Sequence, residues 1–114
     1  MRAYERLLKY VSFDTQSDEN STTCPSTDKQ RVLADVLAKE MTEIGIHGVK
    51  IDENGYVYGY IEATKGMEEL PVIGLIAHMD TAPAMSGANI KPHIIENYDG
   101  TDIVLNDQKN IVME

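Results

Sequence analysis

His78 and Asp80 offer the clearest chemistry in this chain. They belong to the run His78-Met79-Asp80-Thr81-Ala82-Pro83, directly after the apolar stretch Leu70 to Ala77, LPVIGLIA. In extended chain, residues two apart point to the same side, so both side chains can face one crevice. The carboxyl end of a central strand is where open α/β sheets place their ligands. A His backed by a carboxylate is also the usual arrangement at zinc: one ring nitrogen binds metal and the other donates to the carboxylate. A strand-end His and a turn-forming Asp before Pro83 would produce the same letters, and spacing alone does not choose between the two readings.

The other candidates lack partners at ligand spacing, and a catalytic zinc needs about three protein ligands. His47 falls between a helix and a strand and reads as a solvated turn residue. His93 stands alone in a polar-apolar stretch, and Glu68-Glu69 occupies the loop before Leu70. Isolated titratable residues of this kind seldom mark a site. Cys24 is the one cysteine, so an internal disulfide is excluded and a cytoplasmic setting is favoured. No His or Asp stands near it in a nucleophile signature, so it reads as an inert loop thiol. Tyr56, Tyr58 and Tyr60 share one strand face and could imitate a base-stacking platform. The formal net charge of -9 opposes that reading and repels anionic lipid, so nucleic acid and membrane are both excluded as partners. Aromatic residues are ordinary strand formers, and packing accounts for the three tyrosines.

The elements that must position His78 and Asp80 follow from periodicity. Tyr4, Leu7, Leu8 and Val11 recur at helical spacing. The polar stretch Asp14 to Pro25 is a loop. Ser26 or Thr27 is expected to cap a second helix, with Val32, Leu33, Val36, Leu37, Met41 and Ile44 as its apolar stripe and Gly45 as its left-handed end. Val49 and Ile51 then alternate with polar residues, Asn54-Gly55 suits a tight hairpin turn, and Tyr56 to Ala63 returns as a second strand. Leu70 to Ala77 is apolar on both faces and is expected at the centre of a covered sheet. Pro92 to Asn97 and Asp102 to Leu105 suggest shorter strands. The 114 residues suffice for one domain, read as an α/β layered unit. No apolar run is long enough to span a bilayer, and the amino terminus reads as an amphipathic helix rather than a signal peptide.

The block Val72 to Pro83, VIGLIAHMDTAP, resembles the first metal motif of the co-catalytic zinc peptidases, which include aminoacylases, carboxypeptidases and di- and tripeptidases. The similarity extends through ERLLKYVSFDTQSD, CPSTDKQ, DENGYVYGYIEAT and AHMDTAPAMSGANIKPHIIENYDG, and is to the aminotripeptidase branch of that family. The resemblance implies that His78 is a zinc ligand and that Asp80 is the catalytic-site carboxylate orienting its imidazole. It also implies a two-zinc site that removes the amino-terminal residue from a tripeptide substrate. The family's bridging aspartate, paired glutamates, further carboxylate and distal His lie downstream of the motifs seen here, and no residue of this chain inherits their roles. Residues 1–114 are therefore expected to be the front segment of a catalytic domain, an incomplete mixed sheet with flanking helices that is inactive alone. Its open strand edges are expected to drive self-association, a homodimer, or binding to the missing half. A dipeptidase or acyl-amino-acid deacylase of the same fold is the nearest competing function. A short binding module that pairs with a longer relative is a competitor of another class.

Overall fold

Helix α2 (Lys29–Glu43) carries most of the buried side chains. Leu33 and Ala34 are 5% and 1% exposed, while Leu37 and Met41 continue the stripe half-buried. The computed structural model describes residues 1–114. Helix α1 (Ala3–Tyr10) precedes α2, and four short strands follow: β1 (His47–Ile51), β2 (Val57–Tyr60), β3 (Ile103–Asn106) and β4 (Ile111–Met113). They form two separate antiparallel pairs, β1 with β2 and β3 with β4. An isolated parallel bridge joins Gln16 to Thr81. The result is a small α/β unit with antiparallel sheets and flanking helices, in agreement with the expected class.

The ends of α2 show which local signals hold. Gly45 has φ +89°, and the amides of Gly45 and Ile46 donate to the carbonyls of Thr42 and Met41 at 3.1 and 3.0 Å. That is the paired arrangement by which a left-handed glycine closes a helix. At the other end, neither Ser26 nor Thr27 caps the helix. Asp28 takes the capping position without a side-chain hydrogen bond. The two hydroxyls turn instead to the preceding loop: Thr27 donates to the Gln16 carbonyl at 2.9 Å, and Ser26 accepts from the Asp18 amide at 3.1 Å.

The β1–β2 loop is wider than a two-residue turn. The Asp52 carboxylate accepts from the amides of Asn54 and Tyr56 at 3.0 and 2.9 Å, and Gly55 adopts φ +83°. Asp52 thus organises a five-residue loop, with Gly55 at its left-handed position. Helix α1 buries no residue and is held by charge. Arg6 Nε and Lys9 Nζ both donate to the Glu40 carboxylate, Lys9 at 2.9 Å. Glu40 is pulled from 4.5 down to about 2 by the hydrogen bonds from Lys9 and Arg6, in that order.

Two expected strands are corrected. Leu70–Ala77 is not a strand, and Val72, Ile73, Leu75 and Ile76 are 97%, 84%, 93% and 99% exposed. Strand stability comes from a ladder and from cross-strand side-chain pairs, and neither hairpin lies alongside this segment to provide them. Pro92–Asn97 also lacks strand structure, with Asn97 in the left-handed region at φ 53°. The expected strand Tyr56–Ala63 shortens to Val57–Tyr60, while Asp102–Leu105 survives one residue later, as Ile103–Asn106. Accessible surface is 9590 Å² and the radius of gyration 17.8 Å. A compact monomer of this mass would have about 6,200 Å² and about 13 Å. Much apolar surface that a strand pattern would bury remains outside.

Candidate functional site

The site begins with a loop stitched to a turn. Thr15, 3% exposed, accepts through its carbonyl from the Thr81 amide at 3.1 Å, and the Ser17 amide donates back to the Thr81 carbonyl at 2.9 Å. The Ser17 hydroxyl donates to that same carbonyl at 2.9 Å, and Gln16 Nε2 reaches the Pro83 carbonyl at 3.0 Å. Gly87 lies under this crossing, where a β-carbon would come 2.8 Å from Asp14 Oδ1 and 3.0 Å from Thr81 Oγ1. Lys29 at the start of α2 holds Asp14 in turn, and its hydrogen bond draws the Asp14 carboxyl below its ordinary range. The polar stretch that reads as solvated loop therefore anchors the residues just after His78.

Within that anchor, His78 and Asp80 come together. His78 Nδ1 lies 2.9 Å from the Asp80 carbonyl and 3.1 Å from Asp80 Oδ1. A carbonyl can only accept, so Nδ1 donates to it, which in the neutral ring leaves the lone pair on Nε2. The His78 side chain is 83% exposed, against 40% for Asp80. An imidazole with one nitrogen fixed by a carboxylate and the other free is the form a metal-ligating His takes.

The chain supplies one such ligand. No group of three His, Cys, Asp or Glu side chains is placed to hold a metal ion. His47 begins β1 and rests against the Tyr60 ring, centroids 5.9 Å apart. His93 is exposed outside any element, and Glu68 accepts from the Gly66 amide at 3.0 Å. These residues do not converge on His78, as their sequence positions suggest. One oriented imidazole fits a shared zinc site, and by itself falls short of the roughly three donors a catalytic zinc requires.

Two hollows flank the His78 segment. A cleft of about 220 Å³ is lined by His78, Asp80, Cys24, Arg31, Asn54 and Tyr56 among others. On the other side an open apolar hollow of about 920 Å³ lies between Leu75–Thr81 and the side chains of Leu7, Leu33, Met41 and Val57. The sequence reading missed the nearness of Cys24 and Arg31 to His78. Cys24 Sγ approaches the Asn54 carbonyl at 3.8 Å, and Arg31 Nη2 donates to the Glu53 carbonyl at 2.8 Å. The Tyr56 hydroxyl is pushed above its ordinary value, chiefly by the neighbouring Cys24 thiol. These contacts cross the β1–β2 loop, and no local periodicity encodes them. Tyr56 and Tyr58 lie edge to face at 6.3 Å and Lys50 sits over the Tyr58 ring, while Tyr56, Tyr58 and Tyr60 remain 54%, 47% and 54% exposed.

Comparison with known proteins places this geometry in context. No family model matches the chain. It is 59% identical over 109 residues to peptidase T of Clostridium acetobutylicum, covering 96% of this chain and 26% of that protein. It is 54% identical over 112 residues to peptidase T of Caldanaerobacter subterraneus, covering 98% and 27%. Peptidase T of Geobacillus sp. strain WCH70 is 54% identical over 109 residues, covering 96% and 26%. The match is to the amino-terminal segment of these proteins, so the chain spans about a quarter of the length of the curated relatives it matches.

Proposed function

We propose that this chain is the amino-terminal segment of a zinc-dependent aminotripeptidase of the peptidase T kind, in which His78 binds one of two zinc ions and Asp80 orients it. The observation that carries the reading is identity of 59% across 96% of the chain, spanning the stretch that brings His78 and Asp80 together. When bound in the complete enzyme, the metal would polarise the scissile carbonyl and acidify a water. The chain's own part is to position. Asp80 accepts a hydrogen bond from Nδ1–H through two oxygens, which favours that tautomer, and the Thr15–Ser17 stitch to Thr81 holds the turn that follows Asp80.

No residue here is placed as a base or as the remaining ligands, so the 114-residue chain alone is expected to turn over no peptide. A soluble tripeptide is the substrate under this reading. The location is cytoplasmic, supported by the single exposed thiol of Cys24. No helix is long and apolar enough to cross a membrane, and the acidic surface opposes nucleic acid.

A chimaera tests the proposal. This chain replaces the matching residues of Clostridium acetobutylicum peptidase T, and the product is assayed with zinc against tripeptides, dipeptides and acylated amino acids. Release of the amino-terminal residue from tripeptides, abolished by His78→Ala, is the expected result. Preference for dipeptides or acylated amino acids would transfer the assignment to those activities, and no release from any tripeptide would sink it.

A further inference from the structure

The cleft of about 220 Å³ beside His78 is lined by one permanent cation, Arg31, and one acid, Asp80. Asp80 is committed, because its carbonyl and Oδ1 both face His78 Nδ1. Arg31, in the first turn of α2, is anchored but not fully used. Its Nη2 donates to the Glu53 carbonyl at 2.8 Å, which holds the guanidinium against the β1–β2 loop. Its Nε lies 3.7 Å from Asp28 Oδ1, beyond hydrogen-bond reach, and the Asp28 side chain is fully exposed. Nη1 donates to no protein acceptor and lies over Gly55, where a β-carbon would stand 3.8 Å away.

Ser26 brings a second donor to the same cleft. Its Oγ accepts from the Asp18 amide and from Nε2 of buried Gln30, each at 3.1 Å. A hydroxyl has two lone pairs and one proton. Both lone pairs are filled here, so the proton is the free part, and each bond accepted strengthens its donation. Gln30 is held in this role by Thr27. The Thr27 hydroxyl spends its proton on the Gln16 carbonyl at 2.9 Å, so towards Gln30 Nε2, at 3.2 Å, it can only accept. An unspent guanidinium nitrogen and a hydroxyl left only to donate, with the cleft's one acid turned to His78, suit a carboxylate.

We propose that Arg31 and Ser26 form a subsite for a carboxylate of the bound peptide, which makes them specificity-determining residues beside His78. The proposal rests on the peptidase T reading for the substrate. A tripeptide offers such a group at its carboxyl terminus or on an acidic side chain. Neither takes part in the bond that breaks, so the contact is equally strong in the bound substrate and the transition state. Its loss therefore falls on KM rather than kcat.

Steady-state kinetics of the zinc-loaded chimaera decide the matter, with one tripeptide supplied as free acid and as carboxamide. Arg31→Gln should raise KM for the free acid about tenfold, and Ser26→Ala about threefold, with kcat moving much less. Arg31→Lys keeps the charge without the planar fork and should fall between Arg31→Gln and the parent. KM for the carboxamide should start high and respond little to Arg31→Gln. An amidated tripeptide with glutamate as its second or third residue distinguishes the two sources. Restored dependence on Arg31 assigns the subsite to an acidic side chain, and absence of it assigns the subsite to the terminus. An equal rise in KM for free acid and carboxamide would mark a purely structural role for Arg31 and overturn the proposal, as would no rise for either. A chimaera that cleaves no tripeptide sinks the functional reading, and equilibrium binding of glycylglycine and its carboxamide then decides the subsite. Weaker binding of the free acid alone in Arg31→Gln upholds it, and equal binding by parent and variant overturns it.

Discussion

Asp80→Ala in the chimaera should weaken zinc binding by about tenfold, the lower end of the effect usual for a partner that orients a metal ligand. The modest size follows from geometry. Two oxygens of Asp80 face His78 Nδ1, the carbonyl at 2.9 Å and Oδ1 at 3.1 Å. The substitution removes only the carboxylate oxygen. The carbonyl still accepts the Nδ1 proton, so the tautomer that presents Nε2 is retained, and the loss is confined to the carboxylate's charge and part of the orientation. Tenfold corresponds to about 1.4 kcal/mol. His78→Ala, by contrast, removes the ligand itself and should abolish tight binding at that position. Competition between the protein and a coloured zinc chelator reads both variants without relying on turnover. A loss with Asp80→Ala as complete as with His78→Ala would make Asp80 a direct ligand. No change at all would mean that the carbonyl alone orients the ring. Either result refutes the reasoning.

Three further outcomes follow from the packing. Glu40 sits at about 2 in the folded chain against an ordinary 4.5, so its stabilising effect is complete above about 4.5 and is lost as pH falls towards 2. Amide signals of α1 should therefore fade over that acid range, and Glu40→Gln should weaken α1 at neutral pH and flatten its acid dependence. Leu33→Ala should cost about 2–3 kcal/mol by urea denaturation, low in the usual range because Leu33 already borders an open hollow and has fewer packed neighbours to lose. Gly59→Ala should destabilise the β1–β2 hairpin by about 1–2 kcal/mol through overpacking, read as a lower urea midpoint. Its β-carbon would collide with Ile46 Cγ2 and come 2.9 Å from Met41 Cε, and Ile46 has less freedom to move aside than Met41.

Helix α2 and the β1–β2 hairpin were legible because their determinants are local. The apolar stripe from Val32 to Ile44, the glycine at position 45 and the change of period after it each act within a few residues. The caps were less legible. Ser26 and Thr27 have the right chemistry for a helix start, yet their hydroxyls serve the Asp14–Pro25 loop, whose partners lie elsewhere in the chain. The strand at Leu70–Ala77 failed for a different reason. Its residues favour a strand in the presence of neighbours, and periodicity reports that preference without reporting whether neighbours exist. Cys24 and Arg31, which line the same cleft as His78, left no mark in the sequence, since their contacts to the Asn54 and Glu53 carbonyls cross the β1–β2 loop.

The same contrast explains why half a site can form on an unpaired segment. The His78–Asp80 contact spans two residues, and Thr15–Ser17 fixes the turn after it through hydrogen bonds that need no sheet. Local geometry is thus independent of the strand before it. The place of Nε2 relative to other ligands is not, because residues 71–80 make no backbone-to-backbone hydrogen bond. Any ion that binds His78 together with donors from elsewhere must also order that segment, which costs on the order of 1–2 kcal/mol for each residue fixed. If residues 71–77 are ordered before the ion arrives, the ion is relieved of that cost and binds more tightly. Metal affinity and the ordering of 71–77 should then be linked in both directions: in the chimaera, zinc should slow the exchange of amides 72–76, and a substitution that loosens the segment, such as Ile76→Ala, should weaken zinc without touching His78. Equal zinc affinity in the chimaera with and without Ile76→Ala, while exchange at 72–76 quickens, would separate the two and break the link.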